Sequence, residues 1–186
     1  MPDHPPLSLV HHSHSLLQTT APKMEFPLSD EVKQDLSYLA LTMLSFGPRA
    51  VGLAANQVGL PHRAFAWTHP EYAGVIINPA FADASDEPTN VHVDRDHHRY
   101  TATREGCLSL PNLRAEVKRL RKIWATYQTE SGEVRTVELT GLWSTCFQHE
   151  TDHLNGILVY QHLPKAEQEK ILAAQAKQER RNKRAA

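Results

Sequence analysis

The segment CFQHETDHLNG, Cys146 to Gly156, contains an HExxH pattern with a cysteine just upstream. On a helix, His149 and His153 lie one turn apart, so both imidazoles project from the same face. Glu150, between them, can approach the same site without ligating. Two imidazoles and a free carboxylate are the parts of a metal-assisted hydrolysis, with metal-bound water as nucleophile and Glu150 as general acid/base. The ligand face continues back through Cys146 and Leu142, while Trp143, Phe147 and Leu154 form an opposite apolar flank. A helix apolar on two sides is expected to be central. A metal there is shielded from bulk water, which strengthens its field.

Two histidines leave a catalytic metal one protein ligand short. A thermolysin-like arrangement would draw a glutamate from a later helix, but Glu167 and Glu169 sit in a highly charged tail. A metzincin arrangement would need a histidine at position 159, which is Val159. Cys107 lies in REGCLSLP, a glycine-flanked turn that can present a thiolate on fixed backbone. One cysteine and two histidines form an open set with one position left for water. Cys146 competes for the role, but one turn before His149 it is better placed as a pocket wall.

These groups need elements to position them. LSDEVKQDLSYLALTMLSFG predicts a helix capped by Ser29 or Asp30, with Val32, Leu36, Leu39, Leu41, Met43 and Leu44 on a broad apolar side. HRAFAW and GVIINPAF read as strands. The polar stretch from Asp83 to Thr103 reads as a long hairpin or surface excursion with a turn near Pro88, and its His92, His97 and His98 as solvated side chains. EGCLSLPNL reads as a turn. AEVKRLRKIWATYQTESGEVRTVEL predicts two or three strands with a hairpin at Ser131-Gly132. The HExxH helix is expected from Gly141 to Leu154, capped by Thr140 and stopped by Asn155-Gly156. A second helix follows from about Lys165.

The 186 residues fit one domain with its own core, and 40% apolar and 22% charged residues are ordinary for a soluble globular chain. No apolar run reaches the roughly 18 residues of a membrane span. The N-terminal stretch resembles neither a secretory signal nor a transit peptide, and the two cysteines suit a reducing compartment, so a cytoplasmic location is expected. Charge is uneven. The chain carries −1 in all, but seven basic and three acidic residues fall between Pro164 and Ala186, leaving an acidic body with a basic tail. Such a tail suits an anionic partner, or simply a solvated helix end.

Three segments converge on one family. VGLAANQ (Val51 to Gln57), EGCLS (Glu105 to Ser109) and QHETDH (Gln148 to His153) resemble, in order and rough spacing, the three signature motifs of the peptide deformylases. The helical tail resembles the C-terminus of the common bacterial class. The resemblance implies an α+β fold in which the HExxH helix is surrounded by antiparallel β-sheets, with an N-terminal and a C-terminal helix, all in one domain spanning 1–186. It implies a metal on Cys107, His149 and His153, with Fe(II) as the native ion and Zn(II), Ni(II) or Co(II) able to substitute. Glu150 would be the acid/base, and the Gln57 amide and Leu108 N–H would polarise the formyl oxygen. Val51, Gly52, Glu105, Arg114, Leu142, Thr145 and Cys146 would contact the substrate, Gly52 by letting its backbone approach closely. Arg119 would line or support the groove. The substrate would be an N-formylmethionyl nascent chain, and the basic tail would meet the ribosome.

The chain departs from the family pattern at two positions. Ala50 stands where a glycine usually opens the first motif. Thr145 replaces a normally apolar pocket residue and is expected to weaken methionine preference. An inactive, metal-stapled binding protein and a zinc endopeptidase are the alternative readings. Release of formate from a formyl peptide separates all three.

Overall fold

A computed structural model describes residues 5–84 and 100–185. The stretch from residue 85 to 99, with the expected turn at Pro88 and His92, His97 and His98, lies outside them. The first helix, α1 (Asp30–Ser45), begins at Ser29, whose hydroxyl accepts the Val32 N–H at 3.3 Å. Asp30 and Glu31 in the first turn complement the helix dipole. Its buried residues are Leu36, Leu39, Thr42 and Met43; Leu44, expected on the apolar side, is exposed.

Seven strands follow among the described residues: β1 (Gly52–Ala54), β2 (Ala64–Trp67), β3 (Gly74–Asp83), β4 (Tyr100–Cys107), β5 (Leu110–Leu120), β6 (Lys122–Gln128) and β7 (Val134–Thr140). Five form an antiparallel sheet in the order β1-β2-β3-β6-β7, and β4 and β5 pair as a separate antiparallel ribbon. AEVKRLRKIWATYQTESGEVRTVEL thus holds most of β5, all of β6 and nearly all of β7. Its hairpin turns at Ser131-Gly132, where Gly132 takes φ +86°.

EGCLSLPNL is mostly strand rather than turn. β4 runs through Cys107, only Leu108 and Ser109 turn, and β5 starts at Leu110. The breakers there are tolerated because, among the described residues, β5 pairs on one side only, so Pro111 forfeits no ladder bond on its open edge. Asn112 takes φ +67°, a conformation its short polar side chain accepts.

Alternation along the strands divides the core. Phe65, Trp67 and Ile76 face α2 (Gly141–Leu154), the HExxH helix, and pack with Ile123, Ala125, Leu139, Phe147 and Leu154. Phe65 and Phe147 meet edge-on, with ring centroids 5.3 Å apart. Ala64, Ala66 and Ile77 point the other way, towards α1. On the ribbon side, Cys107, Leu110, Leu113, Ala115 and Val117 pack with Leu17, Leu158 and Val159. Helix α2 therefore lies between the sheet and the ribbon. Thr140 holds its N-cap position without a side-chain capping bond, and Gly156 leaves the helix at φ +75°. The last helix, α3 (Lys165–Ala185), rests its start on the ribbon through Ile171 and a bond from Gln175 Nε2 to Pro111 O.

Candidate active site

Strand β4 and helix α2 bring the expected donors together. The ligand atoms of Cys107, His149 and His153 all lie within 4.8 Å of one another, with Cys107 Sγ 3.3 Å from His153 Nε2. Cys146 is not part of this cluster. It is buried, and that burial, with the Glu150 and Glu105 charges, pushes its thiol well above the ordinary range. Burial acts the same way on Cys107, but there the charges and hydrogen bonds of His153 and His149 prevail and hold the thiol well below its usual value. Their surroundings thus push the two thiols in opposite directions.

The orientation of His149 is fixed from behind. Its Nδ1 lies 2.8 Å from Glu105 Oε2. A carboxylate only accepts, so Nδ1 carries the hydrogen and Nε2 is the ring nitrogen left to face the cluster. Arg119 grips both oxygens of Glu105, at 2.9 and 3.0 Å, and also donates to Asp152. Burial alone would raise the Glu105 carboxyl, but the bonds from His149 and Arg119 outweigh it and hold it at about 2. Glu105, expected among the substrate contacts, is placed behind His149, and Arg119 is enclosed rather than on a groove wall.

Glu150 is buried, and its Oε2 has no hydrogen-bond partner among the described residues. Burial pushes its carboxyl up, against the pull of His149 and His153. Gln57 is oriented by the Ala54 N–H, which donates to Oε1 at 2.9 Å, so its amide N–H₂ faces Ser109 Oγ at 3.2 Å and Cys107 Sγ at 3.7 Å. Leu108 is the first residue of the turn after Cys107.

The remaining expected residues surround this centre. Thr145 is buried on α2, and Leu142 is exposed in its first turn. Val51 precedes β1 and accepts the Thr68 N–H at 3.1 Å. Arg114 folds over Gly106, where any side chain would collide with its guanidinium. The missing side chain of Gly52 makes room for Glu150 and Cys146. Ala50 takes φ −104° and ψ 114°, so no glycine is required there.

Sequence reasoning did not single out Asp152, His162 or Asn56. Asn56 donates to the backbone oxygens of Leu16 and His153, tying the first motif to the end of α2. The signal for Asp152 was a second acidic residue inside a helix apolar on two sides.

The polypeptide deformylase family profile matches residues 6–169. The chain belongs to the peptide deformylase family. A peptide deformylase of Agrobacterium fabrum is 32% identical over 157 residues, covering 81% of this chain and 85% of the relative. The crystal structure of the peptide deformylase from Ehrlichia chaffeensis superposes with a TM-score of 0.80 at 26% identity, covering 96% of this chain and 99% of that one. The Thermus thermophilus peptide deformylase is 34% identical with a TM-score of 0.68, covering 89% and 90% of the two chains. The α+β architecture, with helices and antiparallel sheets, is that of the deformylases. Family membership makes the chain a hydrolase that removes the N-formyl group from nascent peptides. Among the described residues no helix is long and apolar enough to cross a membrane.

Proposed function

We propose that the chain deformylates N-formylmethionyl peptides at a single divalent metal held by Cys107 Sγ, His149 Nε2 and His153 Nε2. The observation that carries this reading is the convergence of those three ligand atoms within 4.8 Å. The donor set fits the ion: a thiolate with two imidazoles suits Fe(II) or Zn(II), and three protein ligands leave one position open. The orphaned, buried Oε2 of Glu150 fits as well, since such an atom calls for a partner that the described residues do not provide. When bound, the metal acts as a Lewis acid and lowers the pKa of its water to about 7.

The chain's own groups account for the rest of the reaction. Glu150 accepts a proton as water oxygen adds to the formyl carbon. The Gln57 amide and the Leu108 N–H donate to the developing oxyanion, each such donor contributing about 3 kcal/mol. Glu150 then passes its proton to the amine nitrogen as the C–N bond breaks, releasing formate and a free N-terminus. The raised carboxyl of Glu150 makes it a stronger proton acceptor than an ordinary glutamate. Cys146 and Thr145 wall the site for the first side chain, with Leu142 and Val51 at its margin and Arg114 beside the cysteine strand. Fe(II) is the proposed native metal, with Zn(II), Ni(II) or Co(II) able to substitute. The basic end of α3, including exposed Arg180 and Arg181, is proposed to meet ribosomal RNA in a cytoplasmic setting.

The test is formate release from a formyl-Met peptide, run anaerobically with Fe(II) or with Ni(II), beside elemental analysis of the protein and of Cys107→Ala. One metal per chain, lost in Cys107→Ala, and stoichiometric formate support the proposal. Cleavage of internal bonds points to an endopeptidase instead. Full metal retention in Cys107→Ala with loss in Cys146→Ala assigns the wrong cysteine.

A further inference from the structure

Behind the candidate ligands runs a chain of charged contacts that ends at the surface. His149 donates to Glu105, Glu105 is gripped on both oxygens by Arg119, and Arg119 donates onward to Asp152. Asp152 Oδ2 also lies 2.7 Å from His162 Nε2, which must carry the hydrogen because the carboxylate can only accept. Arg119 and Glu105 are almost fully enclosed, whereas the His162 side chain is 30% exposed. His162 closes the 3-10 turn Val159–His162, beyond the metal helix and just before α3.

Each contact constrains the next. Arg119 Nη1 and His162 Nε2 both bond the same oxygen, Oδ2, of Asp152. Without His162, a carboxylate at the protein's margin can rotate towards water, and Arg119 loses its second anchor. Arg119 then holds Glu105 with one fewer restraint, and Glu105 sets both the tautomer and the plane of His149. Groups that orient a ligand in this way commonly change metal affinity by about 10–100-fold when removed. His162 acts on the ring through three intervening residues, so a smaller effect is expected.

We propose that His162 is a positioning residue for the metal centre: it clamps Asp152 against Arg119 and, through the Arg119–Glu105 fork, steadies the ring of His149. The proposal rests on reading Cys107, His149 and His153 as ligands.

The test uses full-length protein loaded with Co(II), comparing wild type, His162→Ala, His162→Gln and Asp152→Asn. Three quantities are measured: the rate of metal release to excess chelator, the visible Co(II) absorption bands, and Tm. His162→Ala should release metal about 3–10-fold faster than wild type, with displaced bands. His162→Gln, whose amide N–H can donate to Asp152, should restore both. Asp152→Asn should release metal at least as fast as His162→Ala. A His162→Ala protein with wild-type release and bands overturns the proposal, whether or not its Tm falls, and makes His162 a staple of its own turn. If His162→Ala does not fold, His162→Gln decides: wild-type behaviour supports the clamp, and fast release contradicts it. Wild type that takes up no Co(II) refutes the ligand assignment itself, which separates that failure from this one.

Discussion

Gly52 lies directly against Glu150. A Cβ at position 52 would sit 2.7 Å from Glu150 Oε1, 2.8 Å from its Cγ and 2.9 Å from Cys146 Sγ. Such distances cannot be absorbed in place, because β1 is held by β2 and Cys146 is enclosed. Gly52→Ala should therefore move the Glu150 carboxylate while leaving the three ligands alone. Displacement of a reacting group by about 1 Å can cost about 10²-fold in rate. The expected result is a loss of that order in kcat with metal content unchanged, checked by formate release and elemental analysis of the same preparation. Normal turnover would mean that Glu150 is not held by this contact.

Replacing the carboxylate itself should be more specific still. Glu150→Gln keeps size and burial but cannot exchange the proton. Turnover should fall by about 10²-fold or more, the usual contribution of a positioned acid/base. Metal content and Tm should stay close to wild type. A variant that turns over normally removes Glu150 from proton transfer.

Acid stability should follow Glu105. Its carboxyl stands at about 2 in the folded protein, against an ordinary 4.5. A depressed value means that the ionised form stabilises the fold above about 4.5, and that this contribution is lost as pH falls towards about 2. Asp152 is shifted the same way: burial would raise it, but His162 and Arg119 prevail. Denaturation midpoints measured in steps from neutral to acid pH should drop through that window. Glu105→Gln should be less stable at neutral pH and show a flatter acid limb. An unchanged limb would place the acid sensitivity elsewhere.

Thr145 should broaden the choice of first residue. A hydroxyl in an apolar wall disfavours a thioether, and a mismatch of this size is worth about 1–3 kcal/mol. Comparing kcat/KM for formyl-Met, formyl-Leu and formyl-Ser peptides, wild type should discriminate weakly. Thr145→Ile should sharpen methionine preference by about tenfold. A steep preference in wild type, unaltered by the change, would contradict this.

The tail should matter for docking and not for hydrolysis. Truncation after Gln175 preserves the bond to Pro111 O and the packing of Ile171 on the ribbon. Short formyl peptides should be processed at nearly the wild-type rate. Ribosome co-sedimentation should weaken, and that of the full chain should fall steeply with salt. Equal pelleting of both forms, or binding indifferent to salt, would leave the tail as a solvated helix end.

The parts of the site that were legible in the sequence are those coded locally. HExxH spacing places His149, Glu150 and His153 on one turn whatever surrounds them, and the Asn155-Gly156 stop marks the end of α2. The Ser131-Gly132 turn similarly fixes the β6–β7 hairpin. The β4–β5 ribbon was obscured because Gly106, Pro111 and Asn112 are breakers by type. Whether a strand tolerates them depends on which of its edges is paired, and that is a tertiary fact. The support behind His149 was hidden for the same reason. Arg119 stands 14 residues from Glu105 and 33 from Asp152, with no periodicity to link them. Gly52 was recognised as a position that cannot carry a side chain, but the neighbour that forbids one lies on a helix nearly a hundred residues later.

The candidate ligands come from two structural parts. Cys107 ends a ribbon strand, while His153 belongs to a helix seated against the five-stranded sheet, 46 residues further along the chain. An ion bridging them would close that long loop in the manner of a disulfide, restricting the unfolded ensemble as well as joining two hydrophobic clusters. Metal uptake would then act as a fold-wide cross-link. Chelation should lower the melting temperature and loosen the seam between ribbon and sheet, speeding hydrogen exchange along β4 and β5 ahead of the strands that pack on α1.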